Sequence, residues 1–216
     1  MRATILARAL GPALAGLLVC TATQAQNPVH SHVGHATDAF DGTPGGQGLL
    51  PTALVEARVA AQHAALAAAD PANLDGMRRH AGHVLHALDP TIVAGGPGLG
   101  YGVRAAASAA AQHLELALSS EGVTENVELH AGHALASLAN ARRWTDQAVA
   151  LAQRIQTAGR ASDAASLVTQ LDALCQSILY GRDTNRDGRV GWEEGEGGLA
   201  QASYHMKSLQ RGEGLR

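Results

Sequence analysis

A segment of thirty residues occurs twice in this chain, fifty residues apart and without a gap. When residues 61–90 are placed on 111–140, 11 of the 30 positions are identical. The most distinctive match is the run His-Ala-Gly-His, at 80–83 and again at 130–133, and a single histidine precedes it in each copy. A match at a fixed period indicates one supersecondary unit used twice. The fold must therefore accommodate two copies of the same unit.

The composition of the chain favours helices. Alanine supplies much of a hydrophobic fraction of 46%, and aromatic residues make up only 3%. Alanine and leucine have the highest helix propensities, whereas strands are enriched in β-branched and aromatic residues. We therefore predict an all-α fold. The two copies are expected to form tandem helical hairpins of an antiparallel bundle, followed by a C-terminal helix–loop–helix.

The first 25 residues have the features of a secretory signal peptide. A basic leader with Arg2 and Arg8 precedes an apolar run over 9–19, and Thr23-Gln24-Ala25 offers a cleavage site between small residues. The apolar run is too short for a membrane-spanning helix. We therefore predict export to the periplasm, with no membrane insertion after signal cleavage.

The predicted mature chain has a moderate negative charge. Loss of residues 1–25 leaves 14 basic residues against 19 acidic ones, a net charge of −5. This charge argues against a nucleic-acid partner, since such proteins carry basic patches. Only Cys175 remains of the two cysteines, so the exported chain cannot form an internal disulfide.

The mature chain divides into three predicted parts: an irregular arm over 26–50, the tandem repeat over 51–160 with copies at 51–90 and 101–140 plus an extension, and a helix–loop–helix over 161–216. The arm is expected to be irregular because two prolines and five glycines interrupt any helical periodicity. Its run His32-Val33-Gly34-His35 nevertheless resembles the two later runs. A degenerate third copy therefore remains open beside a flexible, histidine-containing leader.

Residues 183–194 carry oxygen-bearing side chains at alternate positions, in the order Asp-Thr-Asn-Arg-Asp-Gly-Arg-Val-Gly-Trp-Glu-Glu. The segment resembles the calcium-binding loop of EF-hand proteins at every defining position. The resemblance implies Ca²⁺ held by the side chains of Asp183, Asn185 and Asp187, the backbone carbonyl of Arg189, and two oxygens of Glu194. Three glycines after the loop disfavour the exiting helix of that family. We expect a structural site with a dissociation constant of about 10⁻⁴–10⁻³ M, as in extracellular modules.

Histidine is the most abundant candidate transition-metal ligand, with 11 residues. Residues three apart on a helix share a face, so both histidines of a His-Ala-Gly-His run can reach one ion. If each hairpin folds back on itself, the single preceding histidine joins the pair, which predicts two groups: His63 with His80 and His83, and His113 with His130 and His133. Three nitrogen ligands and an open fourth position suit Zn²⁺ or Cu²⁺. His86 and His205 are expected at the surface.

Two other functions remain open for the same histidines. Pairs of imidazoles from the two hairpins could bind haem b in an electron carrier, although the scarcity of aromatic residues argues against this. Alternatively the histidines have no ligand, and the protein is a calcium-stabilised structural or interaction module. The common hydrolase, phosphate-loop and dinucleotide-binding motifs are absent from the sequence, so no enzyme activity is expected and the predicted partners are metal ions.

Overall fold

The computed structural model describes residues 27–215, so the predicted signal peptide at 1–25 lies outside the described residues. Within this range the chain forms helices and no β-strand, which confirms the all-α class. The helices are α1 (Pro28–Thr37), α2 (Leu49–Ala68), α3 (Leu74–Leu88), α4 (Val103–Leu118), α5 (Glu125–Thr157), α6 (Ala161–Tyr180) and α7 (Leu199–Gly212). A short 3₁₀ turn, Pro44–Gly46, lies between α1 and α2.

The prediction of an irregular arm over 26–50 is wrong, because α1 occupies its first half. Pro28 takes the first turn of the helix, where a missing N–H costs nothing, and the side chain of Asn27 accepts a hydrogen bond from the amide of Val29. Val29, Val33 and Ala36 lie on one face of α1 and are fully buried. This packing outweighs the low helix propensity of Gly34.

Helices α2 and α5 occupy the centre of the molecule. Helix α5, with 33 residues, packs against α3, α4, α6 and α7, whereas α2 packs against α3, α4 and α6. Alanines form much of the contact surface, and Ala57, Ala60 and Ala64 on α2 are almost completely buried. Small side chains let helix backbones approach closely. The core therefore consists of closely spaced helices and contains few large aromatic side chains. None of the helices within 27–215 is long and apolar enough to cross a membrane.

The glycine-rich connection between α3 and α4 is organised by one buried carboxylate. Glu56 on α2 has no exposed surface, and its oxygens accept hydrogen bonds from the backbone amides of Leu99, Tyr101 and Gly102 at 2.8–3.1 Å. A Cβ on Gly98 would lie 2.3 Å from a Glu56 oxygen. The negative charge also lies at the N-terminus of α4, where a helix favours an anion.

The C-terminal region consists of α6, a long connection and α7. Helix α6 ends at Tyr180, three residues before Asp183, but α7 begins only at Leu199. The exiting helix therefore starts five residues after Glu194, later than in an EF-hand. Glycines in this stretch allow contacts that a side chain would block: a Cβ on Gly197 would lie 2.3 Å from the Ser137 hydroxyl.

Candidate metal centres

Nine of the eleven histidines lie in three separate groups of three. We name them triad 1 (His32, His35, His113), triad 2 (His63, His80, His83) and triad 3 (His130, His133, His205). In each triad one nitrogen of every ring lies within 4.8 Å of one nitrogen of the other two. Between Asn27 and Leu215 these are the only groups of three or more His, Cys, Asp or Glu side chains that meet this criterion.

All three triads have the same construction. One helix supplies two histidines three residues apart, in the order His-x-Gly-His, and a second helix supplies a single histidine. The helix pairs are α1 with α4, α3 with α2, and α5 with α7, and each pair is in direct contact. The single histidine thus lies before the pair in the sequence of triad 2 and after it in triads 1 and 3.

The arrangement of the rings also recurs. The first histidine of each pair lies 5.3–5.4 Å from the single histidine between ring centroids, with the planes 25–39° apart. The second histidine lies 4.5–4.7 Å from the same ring, edge-on at 76–77°. Chance packing of half-buried histidines does not explain one geometry built three times from different helix pairs.

The Nδ1 atoms converge in each triad. The Nδ1–Nδ1 distance is 3.0 Å for His32–His113 and for His63–His80, and 3.2 Å for His83–His63 and for His130–His205. At most one nitrogen of such a contact carries a proton, because a neutral imidazole has one N–H and one lone pair. Three converging nitrogens therefore cannot all form hydrogen bonds with one another.

Two buried ring nitrogens have no hydrogen-bond partner among the described residues. Nδ1 of His35 in triad 1 and Nδ1 of His133 in triad 3 are buried and make no hydrogen bond to any described residue. A buried polar atom without a partner costs about 1–3 kcal/mol. Zinc bonded to nitrogen at about 2.0–2.1 Å would place tetrahedral ligands about 3.3 Å apart, close to the spacing observed. A metal ion thus fits both the unsatisfied atoms and the distances.

The electrostatics favour neutral imidazoles. Burial, followed by the neighbouring imidazoles, lowers the pKa of His63, His113 and His205 below the usual value of 6.5, and that of His205 falls to about 4. The pKa values of His80 and His133 are lowered with the same leading cause. Neutral rings keep a lone pair for a metal at neutral pH, whereas protonated rings do not.

The surroundings distinguish the triads. Phe40 contacts His35 and His113 of triad 1 edge-on. In triad 3 the Trp192 indole stacks on His133, with the ring centroids 3.8 Å apart and the planes 9° apart. Tyr204, which is largely exposed, meets His205 edge-on at 5.4 Å.

The structure brings the three histidines of one predicted group together and separates those of the other. Triad 2 is assembled within the first hairpin as the sequence predicts. In the second hairpin His113 does not meet His130 and His133, because its ring faces α1 and belongs to triad 1. The expectation that His205 is a surface residue is wrong, since it is 9% exposed and completes triad 3.

His86 is also buried, against expectation, but it has a structural partner: its Nδ1 lies 2.8 Å from the carbonyl oxygen of Val93. The histidines of the arm, His32 and His35, which the sequence offers as a degenerate third copy, are ligand candidates because they meet His113. The His-x-Gly-His spacing identifies them in the sequence, even though the surrounding glycines and prolines disfavour a helix. For His205 the sequence carries no comparable motif.

The predicted calcium loop has the expected turn but a different acidic side chain inside it. Asp183 accepts hydrogen bonds from the amides of Asp187 and Gly188 at 3.0–3.1 Å, and Gly188 adopts φ 85°. Glu194 points outward, with 87% of its side chain exposed, and forms an ion pair with Arg143 at 3.1 Å.

Glu196 takes the inner position. It is 3% exposed, and its two oxygens accept hydrogen bonds from the amides of Asn185 and Gly191 at 3.0 Å each. The loop therefore already encloses a carboxylate, two positions later in the sequence than the resemblance implies.

Comparison with known proteins adds no assignment: no family model matches the chain, and neither a curated protein nor a solved structure is significantly similar to it. The fold and the three histidine sites are thus the basis for any functional argument.

Proposed function

We propose that this protein binds transition-metal ions, up to one in each of its three histidine triads. The observation that supports this proposal is the threefold recurrence of one ring geometry with converging Nδ1 atoms. A protein that holds several ions at sites of one kind is suited to metal storage, buffering or delivery. Export from the cytoplasm, which the N-terminal sequence predicts, would place this activity in the periplasm.

The ligand chemistry favours zinc or copper. Each triad offers three imidazole nitrogens and leaves a fourth position open to water or to a ligand from another molecule. Cys175, the cysteine within the described range, is buried and belongs to none of the triads. A haem iron takes its axial imidazoles from opposite faces of the porphyrin, and Nδ1 atoms 3.0–3.2 Å apart leave no space for a macrocycle between them. The triads thus favour a metal ion over haem b.

Metal stoichiometry tests the proposal. The untagged, metal-free protein is titrated with Zn²⁺, and separately with Cu²⁺, by calorimetry and by elemental analysis after gel filtration. We expect three equivalents per chain. The single substitutions His113→Ala, His63→Ala and His205→Ala should each remove one equivalent, because each deletes one ligand of a different triad.

His30 supplies the matched control. It lies on α1 outside every triad and contacts Glu213 at 3.2 Å, so His30→Gln should retain three equivalents. Binding that falls equally in the control and in the triad variants, or no binding at neutral pH, would refute the proposal. A Soret band in the protein as purified would favour the haem alternative instead.

A second candidate function, calcium binding, is supported by the preformed turn at Asp183 and by the buried carboxylate of Glu196. Ca²⁺ takes six to eight oxygen ligands, which Asp183, Asn185, Asp187 and the backbone around Arg189 would supply together with Glu196. In this proposal Glu196 replaces Glu194 as the last acidic ligand. Ca²⁺ would then stabilise the connection between α6 and α7.

Two isosteric substitutions separate the two assignments. Glu196→Gln should abolish the rise in melting temperature caused by millimolar Ca²⁺, whereas Glu194→Gln should leave it unchanged. The reverse pattern would restore Glu194 as the ligand, and an Asp183→Asn variant that still responds to Ca²⁺ would remove the loop from consideration.

A further inference from the structure

Triad 3 contacts the acidic loop (residues 183–196), and no ring of this loop contacts the other two triads among the described residues. Trp192 belongs to the loop and stacks on His133, one of the three ligands of triad 3. Over residues 27–215, the rings that contact triad 1 and triad 2 come from other histidines and from Phe40, and none belongs to the loop. A displacement of the loop would therefore move a ring that stacks on triad 3, but no ring that contacts triad 1 or triad 2.

Helix α5 also holds the loop immediately after Trp192. Asn140 lies two turns after His133 on α5 and is 2% exposed. Its side-chain amide donates to the carbonyl oxygen of Glu193 at 2.7 Å and accepts from the amide of Gly195 at 2.8 Å. The helix that carries two ligands of triad 3 is thus hydrogen-bonded to the residues that follow Trp192.

The same loop determines where α7 begins, and α7 carries the third ligand. The two ends of the loop meet: the amide of Arg182 donates to the carbonyl oxygen of Glu196 at 2.8 Å. Helix α7 starts at Leu199, and His205 follows less than two turns later. The loop therefore contacts one ligand of triad 3 through an aromatic ring and connects covalently to another.

We propose that Ca²⁺ in the loop and a transition metal in triad 3 bind cooperatively, and that Trp192 is the positioning residue that couples them. The inference rests on the proposed function of the triads and of the loop. An ordered loop holds Trp192 against His133, so less orientational freedom of that ring is lost when a metal binds. Coupling between two binding sites is reciprocal, so the metal must raise the affinity for Ca²⁺ by the same factor. Triads 1 and 2 are expected to be independent of calcium.

The experiment measures each triad separately in the full chain. The double variant His63→Ala/His113→Ala leaves triad 3, whereas the variant His205→Ala leaves triads 1 and 2. The Zn²⁺ affinity of both proteins is measured by competition with a chromophoric chelator, in the absence and in the presence of saturating Ca²⁺, with Mg²⁺ as the ionic control. We expect Ca²⁺ to raise the Zn²⁺ affinity of triad 3 by about fivefold or more, within the usual range of coupling. The affinities of triads 1 and 2 should not change.

Trp192 is then tested against a matched aromatic residue. Trp192→Ala should retain Zn²⁺ binding in triad 3 and Ca²⁺ binding in the loop, but each ion should lose its effect on the other. Tyr204→Ala, which removes the aromatic ring beside His205 that is not part of the loop, should preserve the coupling. If Trp192 contributed only to folding, Trp192→Ala would lower the affinities for both Zn²⁺ and Ca²⁺. The factor by which each ion raises the affinity for the other would then be the same as in the wild type.

The possible failures are distinguishable. A chain that binds no zinc at any triad refutes the proposed function and this inference together. Zinc binding at triad 3 that does not respond to Ca²⁺, or that responds to the same extent as triads 1 and 2, refutes only the coupling. Coupling that survives Trp192→Ala refutes the role of Trp192.

Discussion

At the scale of single residues, titratable side chains in unusual surroundings stand out in this protein. The pKa of His205 is lowered to about 4 by burial and by its two neighbours in triad 3. Glu56 is fully buried as a carboxylate because three backbone amides point at it. Substitution of either residue, and acid in the case of His205, is therefore expected to change the stability of the protein.

Acid is expected to destabilise the metal-free protein. The unfolded chain takes up a proton at His205 below about pH 6.5, whereas the folded chain resists protonation until about pH 4. The free energy of unfolding should therefore fall by about 1.4 kcal/mol per pH unit in this window from His205 alone, and should not change from this cause above pH 6.5. Urea denaturation of the wild type and of His205→Gln at pH 7, 6 and 5 measures the slope. Equal slopes in the two proteins would contradict the lowered pKa.

Removal of Glu56 should be costly. In Glu56→Ala three backbone amides lose their acceptor, and each hydrogen bond to a charged group contributes about 1.5–3 kcal/mol. We expect a loss of at least about 3 kcal/mol in the free energy of unfolding, measured by chemical denaturation. Glu115→Ala, on the exposed side of α4, is the control and should change stability by no more than about 0.5 kcal/mol.

At the scale of helices, each His-x-Gly-His run places a glycine inside a helix, where glycine has a low helix propensity. No other part of the described chain approaches two of these glycines closely: a Cβ on Gly34 or on Gly132 would meet no atom within 4 Å beyond the nearby backbone of its own helix. At Gly82 the nearest contact would be the end of the Gln156 side chain, at 3.4 Å. Packing therefore does not require glycine at these positions.

Gly132→Ala is accordingly expected to stabilise the protein. Alanine favours a helix interior by about 1 kcal/mol over glycine, which raises the melting temperature of a chain of this size by about 2–4 °C. Gly197→Ala should do the opposite, because its Cβ would collide with the Ser137 hydroxyl. Thermal denaturation followed by circular dichroism measures the melting temperatures of both variants. A lower melting temperature in Gly132→Ala would contradict the inference that packing leaves space for a Cβ at this position.

Helix pairing also explains which parts of the site could be predicted from the sequence. Triad 2 follows from local information, since His63 and His80 lie 17 residues apart on one hairpin. His113 and His130 have the same separation, yet α4 turns its histidine towards α1. The repeat identifies six of the nine candidate ligands, but the choice of partner helix depends on packing between distant parts of the chain. Helix α1 does not follow from the sequence pattern, because two prolines and five glycines interrupt the arm over 26–50, whereas the burial of Val29, Val33 and Ala36 depends on packing against other helices.

At the scale of the whole molecule, the triads involve every helix except α6. They share no ligand, so their effects on stability should be nearly additive. At a free Zn²⁺ concentration one hundred times the dissociation constant, each occupied site adds about 2.7 kcal/mol to the free energy of unfolding, and three sites add about 8 kcal/mol. The variants His113→Ala, His63→Ala and His205→Ala should each forfeit about one third of this gain.

Denaturation in buffered free zinc, with and without a chelator, checks this expectation. The gain in each variant is compared with that of the wild type, and His30→Gln should show the full effect. A gain that is lost completely in any single variant would mean that the three sites act as one cooperative unit rather than as independent centres.

The separation of the ligands along the chain has a consequence for its topology. The ions of triads 1 and 3 would join residues 81 and 75 positions apart, respectively, whereas the ion of triad 2 would join residues 17 positions apart. A disulfide closes such long segments in many secreted proteins, and it thereby removes conformational freedom from the unfolded chain. Here the same restraint would be reversible. Loss of the metal would release it without reduction of any covalent bond, and renewed metal binding would restore it.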